Sequence, residues 1–403
     1  MWLFEVPFIA LQLLIGYNLV FPVFLYLLWL IFRKQLKQPI ELPSVEADYG
    51  IIVTAYEQTN TLPFVVDSIL KLKYSNYLVY IVADKCDISA LNFNDSRVVL
   101  LRPEETLASN TKSHLYAMDH FLRVHDRITI IDSDNLVHAD YLNQLNTAFE
   151  QGFVAVQGVR EAKNLNTTIA SLDAARDIYY HFYDGKVLFE LGSSATLAGS
   201  GMAFEAKLYY EFLVKNPVTG AGFDKVLQNW LVKQGIRIAF AENAFVYDEK
   251  TSKSEQLVQQ RSRWINTWFK YFKLGFGILW AGITKWNCNQ FLFGIVLLRP
   301  PLFLFIIASG IFMFINIFIS LTAFLIWCIA FLLFILGFYL ALVRAKVDAR
   351  IYKSLINIPK FIYLQVISLL KSKNANKASV ATTHYHNESI NGINSDPNEN
   401  LPV

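Results

Sequence analysis

Three long apolar stretches, residues 2–32, 301–319 and 321–343, bracket a segment of soluble-domain composition at residues 47–250. About 20 apolar residues cross a bilayer, so each stretch has room for one spanning helix and none for two. The chain is thereby restricted to a membrane protein carrying one soluble domain of ordinary size. The first stretch is interrupted only by Glu5, Gln12, Asn18 and Pro22. It has no early Lys or Arg and is too long for a signal-peptide core, which predicts a retained, tilted membrane helix. Arg33, Lys34 and Lys37 follow it, and Arg344, Lys346 and Arg350 follow the last stretch. Positive charge collects on the cytosolic side of a membrane, so the N-terminus is expected outside. The soluble segment and the C-terminus are then both expected in the cytosol, in a multi-pass protein of the cell membrane.

Composition agrees. Hydrophobic residues make up 54% of the 403 and charged residues only 17%, where a soluble domain carries about a quarter charged. Mean hydropathy is +0.33. These values exclude a disordered chain, and a net charge of +3 gives no basis for a nucleic-acid partner. Cys86, Cys288 and Cys328 are too far apart for a zinc site or a disulfide framework and suit a reducing compartment.

Within residues 47–250, short runs rich in β-branched residues predict strands at 49–54, 78–83, 98–101, 128–131, 154–159 and 236–241. Apolar spacings of three and four predict helices at 63–72, 113–124 and 141–150. Such alternation belongs to an α/β fold with a Rossmann-like, mostly parallel sheet and helices on both faces. Ligands in these sheets lie at the carboxyl ends of the strands.

Residues 251–300 are aromatic and basic. Trp264, Trp268, Phe272 and Phe276 recur every four residues, as on one stripe of a helix lying in the membrane interface. The run 291–298, set apart by Arg299, Pro300 and Pro301, fits either an interfacial or re-entrant piece or the start of a kinked helix. The expected organisation is a membrane helix with a basic linker (1–46), the α/β domain (47–250) and amphipathic interface helices (251–300). A transmembrane hairpin (301–345), a further interface helix (346–372) and a disordered tail (373–403) complete it.

Several strand ends carry polar residues suited to chemistry. ITIIDSDN, residues 128–135, places Asp132 and Asp134 one residue apart after a strand. Two carboxylates so spaced can share a Mg²⁺ or Mn²⁺ ion, although Asp, Ser and Asn also populate plain turns. LVYIVADKCD brings Asp84 and Asp87 to a second strand end, and GIIVTAYEQ brings Thr54, Tyr56 and Glu57 to a third. Gly199, Ser200 and Gly201 form a small-residue turn that permits close backbone approach to a ligand. Asp224 stands near the start of an amphipathic helix in residues 220–235, where a carboxylate is also favoured for helix stability alone. In QQRSRW, Gln260, Arg263 and Trp264 fall at i, i+3 and i+4 on one helix face. An amide, a guanidinium fork and an aromatic plate suit a diphosphate beside a sugar, while an interfacial aromatic belt is the simpler alternative.

Taken in order along residues 47–270, these segments resemble the membrane-embedded family 2 glycosyltransferases of GT-A fold, the group that includes cellulose, chitin and hyaluronan synthases. VTAYEQ is similar to that family's first-strand segment, VADKCD to the segment whose aspartate contacts the nucleotide base, and DSD to its metal-binding D-x-D. GFDKVL stands at its catalytic-base position and QRSRW fits its Q-x-x-R-W. The resemblance implies inverting transfer of a sugar from a nucleotide-diphosphate donor, with UDP the expected carrier, to a glycan or lipid-linked acceptor among membrane lipids. It implies Asp224 as base, Mg²⁺ or Mn²⁺ on Asp132 and Asp134, and donor or acceptor contacts by Thr54, Tyr56, Glu57, Asp84, Lys112, Asp132, Gly201, Gln260, Arg263 and Trp264. Three departures stand out. The asparagine before Glu57 is missing, Phe223 replaces a glutamate before Asp224, and Asn110-Thr111-Lys112 replaces a Gly-Lys pair. Two alternatives stay open: transfer of a single sugar to a polyprenyl or glycerolipid acceptor, which three expected crossings favour over a channel, or a non-catalytic subunit that binds a nucleotide-sugar, which Phe223 favours.

Overall fold

The computed structural model describes residues 2–33, 46–373, 375, 376 and 390. Lys34 and Lys37 of the first basic cluster, and most of the tail expected to be disordered, lie outside the described residues.

Eight strands form one sheet: β1 Tyr49–Tyr56, β2 Tyr77–Asp84, β3 Val98–Leu101, β4 Arg127–Asp132, β5 Leu136–Val137, β6 Ala155–Ala162, β7 Met202–Glu205 and β8 Ala239–Asp248. Their order is β3-β2-β1-β4-β7-β6-β8-β5. The β1–β2, β1–β4, β2–β3 and β6–β8 pairs are parallel, while β7 runs antiparallel to both its neighbours. The sheet is the mostly parallel one expected. Ile51, Ile52 and Val53 in β1 and Val79, Tyr80 and Ile81 in β2 are buried, because helices cover both faces.

Two differences from the sequence reading have local causes. The last strand runs over 239–248 rather than 236–241. Gly235, at φ +83°, ends the preceding helix, and the Ile236 N–H still bonds back to the Leu231 carbonyl. Strand β7, directly after the Gly199–Gly201 turn, is not among the strands that the sequence predicts. It is only four residues long and depends on long-range pairing with β4 and β6, which local pattern does not reveal.

Among the described residues, three helices are long and apolar enough to cross a membrane: Glu5–Phe32, Leu302–Ile319 and Leu321–Arg344. Polar side chains pair across them. Gln12 Oε1 accepts from Asn316 Nδ2 (2.6 Å) and Trp327 Nε1 (2.9 Å). The helix Thr168–Tyr180 continues through a π-helical stretch, His181–Val187, into Leu188–Glu190, and joins this bundle to the sheet. Trp29 Nε1 donates to Glu190 (2.7 Å), and the Tyr183 hydroxyl donates to the Gly337 carbonyl (2.8 Å).

The run at 291–298 lies in a short helical hairpin, Leu274–Thr284 with Cys288–Leu298. Eleven residues per helix reach about 16 Å, roughly half a bilayer core. Glycines allow the close crossing. A Cβ at Gly282 would fall 2.3 Å from the Phe291 nitrogen, and one at Gly294 would fall 2.6 Å from the Leu279 nitrogen. The aromatic stripe is therefore split. Trp264 and Trp268 lie on the helix Ser254–Tyr271 and Phe276 on the next one. Trp268 instead stacks on Phe272 and donates to the Arg299 carbonyl (3.0 Å). The helix Ile358–Leu370 packs along Ser254–Tyr271, with the Ser262 hydroxyl donating to the Ser368 carbonyl (3.0 Å).

Candidate active site

The carboxyl ends of β1, β2 and β4 meet at one edge. Register pairs Tyr56 with Asp84 and Thr54 with Asp132 across adjacent strands. A cleft of about 680 Å³ opens there, lined by Thr54, Tyr56, Asp84, Asp132, Asp134, Asp224, Gln260, Arg263 and Trp264 among others. Most of the residues selected by sequence thus converge on one cavity. Glu57, Lys112 and Gly201 do not line it.

Each of those three has a local explanation. Glu57 sits in left-handed backbone at φ 60°, with its N–H on the Asp84 carbonyl (3.1 Å) and its carboxylate on Lys85 Nζ (2.7 Å). The hydrogen bond from Lys85 holds the Glu57 carboxyl below the usual range. Lys112 is exposed on the helix Asn110–Asp119, which presents Asn110 and Ser113 to the cleft instead. Gly201 is a packing glycine, since a Cβ there would lie 2.9 Å from Val246 Cγ2. Its neighbour Gly199, at φ +90°, lines the cleft.

Asp84 is only 2% exposed, and its carboxylate organises the loop above it. One oxygen accepts from the Leu107 N–H (3.0 Å) and the other from the Ala108 N–H (2.7 Å). A carboxylate has about four acceptor positions, so capacity for a ligand N–H remains. The turn that carries Asp132 and Asp134 is held by the buried Ser200. Its hydroxyl oxygen accepts from the Asp132 N–H (3.1 Å) and from Asn135 Nδ2 (2.8 Å). Among the described residues there is no group of three or more His, Cys, Asp or Glu placed to hold a metal. Two carboxylates facing a phosphate-sized cleft are still a fitting donor set for Mg²⁺ or Mn²⁺. Such ions take one or two protein carboxylates and complete their shell with substrate phosphates and water.

Asp224 lies in the first turn of the helix Phe223–Lys233 with its side chain 16% exposed, and Lys225 Nζ is 3.1 Å from it. Phe223, at the position of the family's glutamate, points into the core against His114, ring centroids 5.2 Å apart. The His114 Nδ1 meets the Tyr209 hydroxyl at 2.7 Å, and burial pushes this imidazole down to about 3, so it is neutral. Gly222 precedes the helix at φ +97°, and a Cβ there would lie 2.5 Å from Thr267 Cγ2. That contact presses the helix Phe223–Lys233 against the helix Ser254–Tyr271. Gly222→Ala should cost more than the roughly 1–2 kcal/mol of left-handed strain alone, because the methyl also displaces Thr267. A thermal melt in detergent checks this, and an unchanged midpoint would contradict the close packing.

Beneath Trp264 lies an ion network that local sequence patterns did not single out. Asp173 binds Arg261 and Arg176, Asp177 binds Arg176 and Lys250, and Asp248 binds Lys250 and Arg160. Arg261 is 2% exposed, and burial brings its guanidinium down to about 10. The Arg261 and Arg176 guanidinium carbons lie 4.0 and 4.8 Å from the Trp264 ring centroid. The indole is thus fixed by cation–π contact while remaining 37% exposed. The available signal was Asp173, Arg176 and Asp177 within an otherwise apolar helix and Arg160 within a strand.

The glycosyltransferase-like family 2 model matches residues 47–267, more than half of the chain, and the chain belongs to that family of glycosyltransferases. The mannosyltransferase PcManGT from Pyrobaculum calidifontis, in complex with GDP-Man and Mn²⁺, is similar to it at a TM-score of 0.50 and 13% identity. That likeness covers 90% of this chain and 98% of the other. It carries the GT-A fold. The S. aureus TarS 1–349 structure is matched at a TM-score of 0.37 and 13% identity, over 82% of this chain and 90% of that one. No curated protein sequence matches.

Proposed function

We propose that this glycosyltransferase moves a sugar, with inversion, from a nucleoside-diphosphate donor carried by UDP to a glycan or lipid-linked acceptor at the cytosolic face of the cell membrane. The observation that carries this reading is the convergence of Asp84, Asp132, Asp134, Asp224, Gln260, Arg263 and Trp264 on one cleft. Asp84 faces the nucleobase. Gln260 and Arg263 hold the diphosphate, where a guanidinium offers paired donors to phosphate oxygens. Trp264 presents its flat face to the acceptor sugar. Asp224 takes the proton of the attacking hydroxyl. Asp132 and Asp134 would hold Mg²⁺ or Mn²⁺, which supplies Lewis-acid stabilisation to the departing diphosphate. A Mn²⁺ ion accompanies the donor in the Pyrobaculum mannosyltransferase complex, which supports that assignment.

A binding-only subunit is the weaker reading. Phe223 was the residue favouring it, and it is buried against His114, leaving Asp224 at the cleft. The cytosolic placement rests on charge at the helix ends. Reporter fusions after residues 45 and 350 should both report the cytosol. Opposite reports would mean that one of the three candidate spans does not cross.

A further inference from the structure

The cleft does not stop at the acceptor side of Asp224. It continues past Trp264 to Phe272, Leu274, Leu297, Pro301 and Leu302, the last being the first residue of a candidate membrane span. One cavity therefore joins the strand ends to an apolar wall at the membrane helices. Beside that wall the short hairpin turns a large aromatic face outward, with Phe276 58%, Trp280 68% and Trp286 95% exposed. Such a face is unfavourable in water and suits the headgroup level of a bilayer, where indole rings concentrate.

The hairpin is fixed to the base helix. Gln290 Nε2 donates to the Val232 carbonyl (3.0 Å), and the Ser194 hydroxyl donates to Asn289 Oδ1 (2.7 Å). The three candidate spans are all in mutual contact. A Cβ at Gly337 would meet Val23 at 2.9 Å, and one at Gly16 would meet Trp327 at 3.1 Å. Three helices packed this closely enclose no passage for a sugar chain. The buried ion pair of Arg299 with Asp184 lines the same cleft.

Resting on the glycosyl-transfer reading above, we propose that the acceptor is a membrane lipid with a hydroxyl-bearing headgroup. Its chains stay against Phe272, Leu274, Leu297 and Leu302 while the headgroup reaches Asp224, and the product returns to the same leaflet. The headgroup oxygen bonds to the anomeric carbon as that carbon's bond to the diphosphate oxygen breaks. The proton goes to Asp224, and the nucleoside diphosphate leaves with the electron pair. A hydroxyl nucleophile is what a carboxylate base serves. A polymer-forming enzyme would need an exit that this closely packed bundle does not provide.

The test uses the full-length protein in vesicles of the expression host's total lipid extract, with a gluco-oligosaccharide supplied in the water phase. Sugar-labelled UDP-glucose, UDP-N-acetylglucosamine and GDP-mannose are tried in turn. Label should enter the chloroform–methanol phase as one sugar per lipid. Label in the oligosaccharide or in ethanol-insoluble polymer, with the organic phase blank, overturns the lipid assignment. Release of free sugar without labelled lipid overturns it too. No nucleoside diphosphate released from any donor overturns the glycosyl-transfer reading itself. In the doubly substituted L297N/L302N protein, the KM for vesicle lipid should rise about tenfold. Donor affinity, measured on the same preparation, should stay unchanged and shows that the variant is folded. An unchanged lipid KM would mean that these leucines are not the chain-binding wall.

Discussion

Asp224→Asn should bind the nucleotide-sugar donor normally and transfer sugar on the order of 10²–10⁴-fold more slowly than wild type, the usual contribution of a general base. The substitution is nearly isosteric and replaces the charged, basic carboxylate with a neutral amide. Its helix position predicts little structural cost. A first-turn carboxylate contributes about 0.3–1 kcal/mol through the helix N-terminus, and the partner Lys225 also reaches the Leu197 carbonyl (3.3 Å). If Asp224 were only a helix-start residue, melting would shift slightly and transfer would not. Donor affinity and transfer rate measured on one detergent preparation separate the two roles. Near wild-type transfer would remove the base assignment from Asp224. Neither Glu57, whose carboxylate is on Lys85, nor Asp87, whose carboxylate accepts from the Ser89 N–H, lines the cleft.

Chelation should lower turnover by at least about 10²–10³-fold, and added Mg²⁺ or Mn²⁺ should restore it. Several kcal/mol of charge stabilisation on the leaving diphosphate would be lost with the ion. Asp134→Asn should cost more than Asp132→Asn, on the proposal that Asp134 is the main ligand and Asp132 also serves the ribose and diphosphate. The ion should be readily stripped, since among the described residues no group of three or more His, Cys, Asp or Glu is placed to hold it. Steady-state rates across a metal titration give the answer. Full activity in chelator would remove the ion from the account while leaving Asp224 and the fold in place.

The parts of this chain written in local pattern were readable before any coordinates. The three spans, the first four parallel strands and the aspartates at their ends all follow from apolar runs closed by polar residues. Long-range partners were not readable. Strand β7 exists because Met202–Glu205 finds β4 and β6, and nothing in four residues announces that. Glu57 was drawn into the site by its position after β1, but a left-handed backbone turns it to Lys85. In the Gly-Ser-Gly turn the emphasis moves from Gly201 to Ser200 and Gly199. The hydroxyl of Ser200 holds the Asp132 loop, whereas Gly201 accommodates Val246. The ion network under Trp264 joins helix Thr168–Tyr180, strand β8 and helix Ser254–Tyr271. Charges within an apolar helix are a local signal, but their partners at Arg160, Asp248, Lys250 and Arg261 lie many residues away, and local pattern does not join them.

The most direct test of the central claim is release of nucleoside diphosphate by the purified full-length protein, offered each nucleotide-sugar of the panel in lipid vesicles. The account predicts release from a UDP-sugar that stops in chelator and falls on the order of 10²-fold or more in Asp224→Asn. A wild-type protein that binds a nucleotide-sugar tightly, yet releases no nucleoside diphosphate from any of them with metal and lipid present, would contradict it.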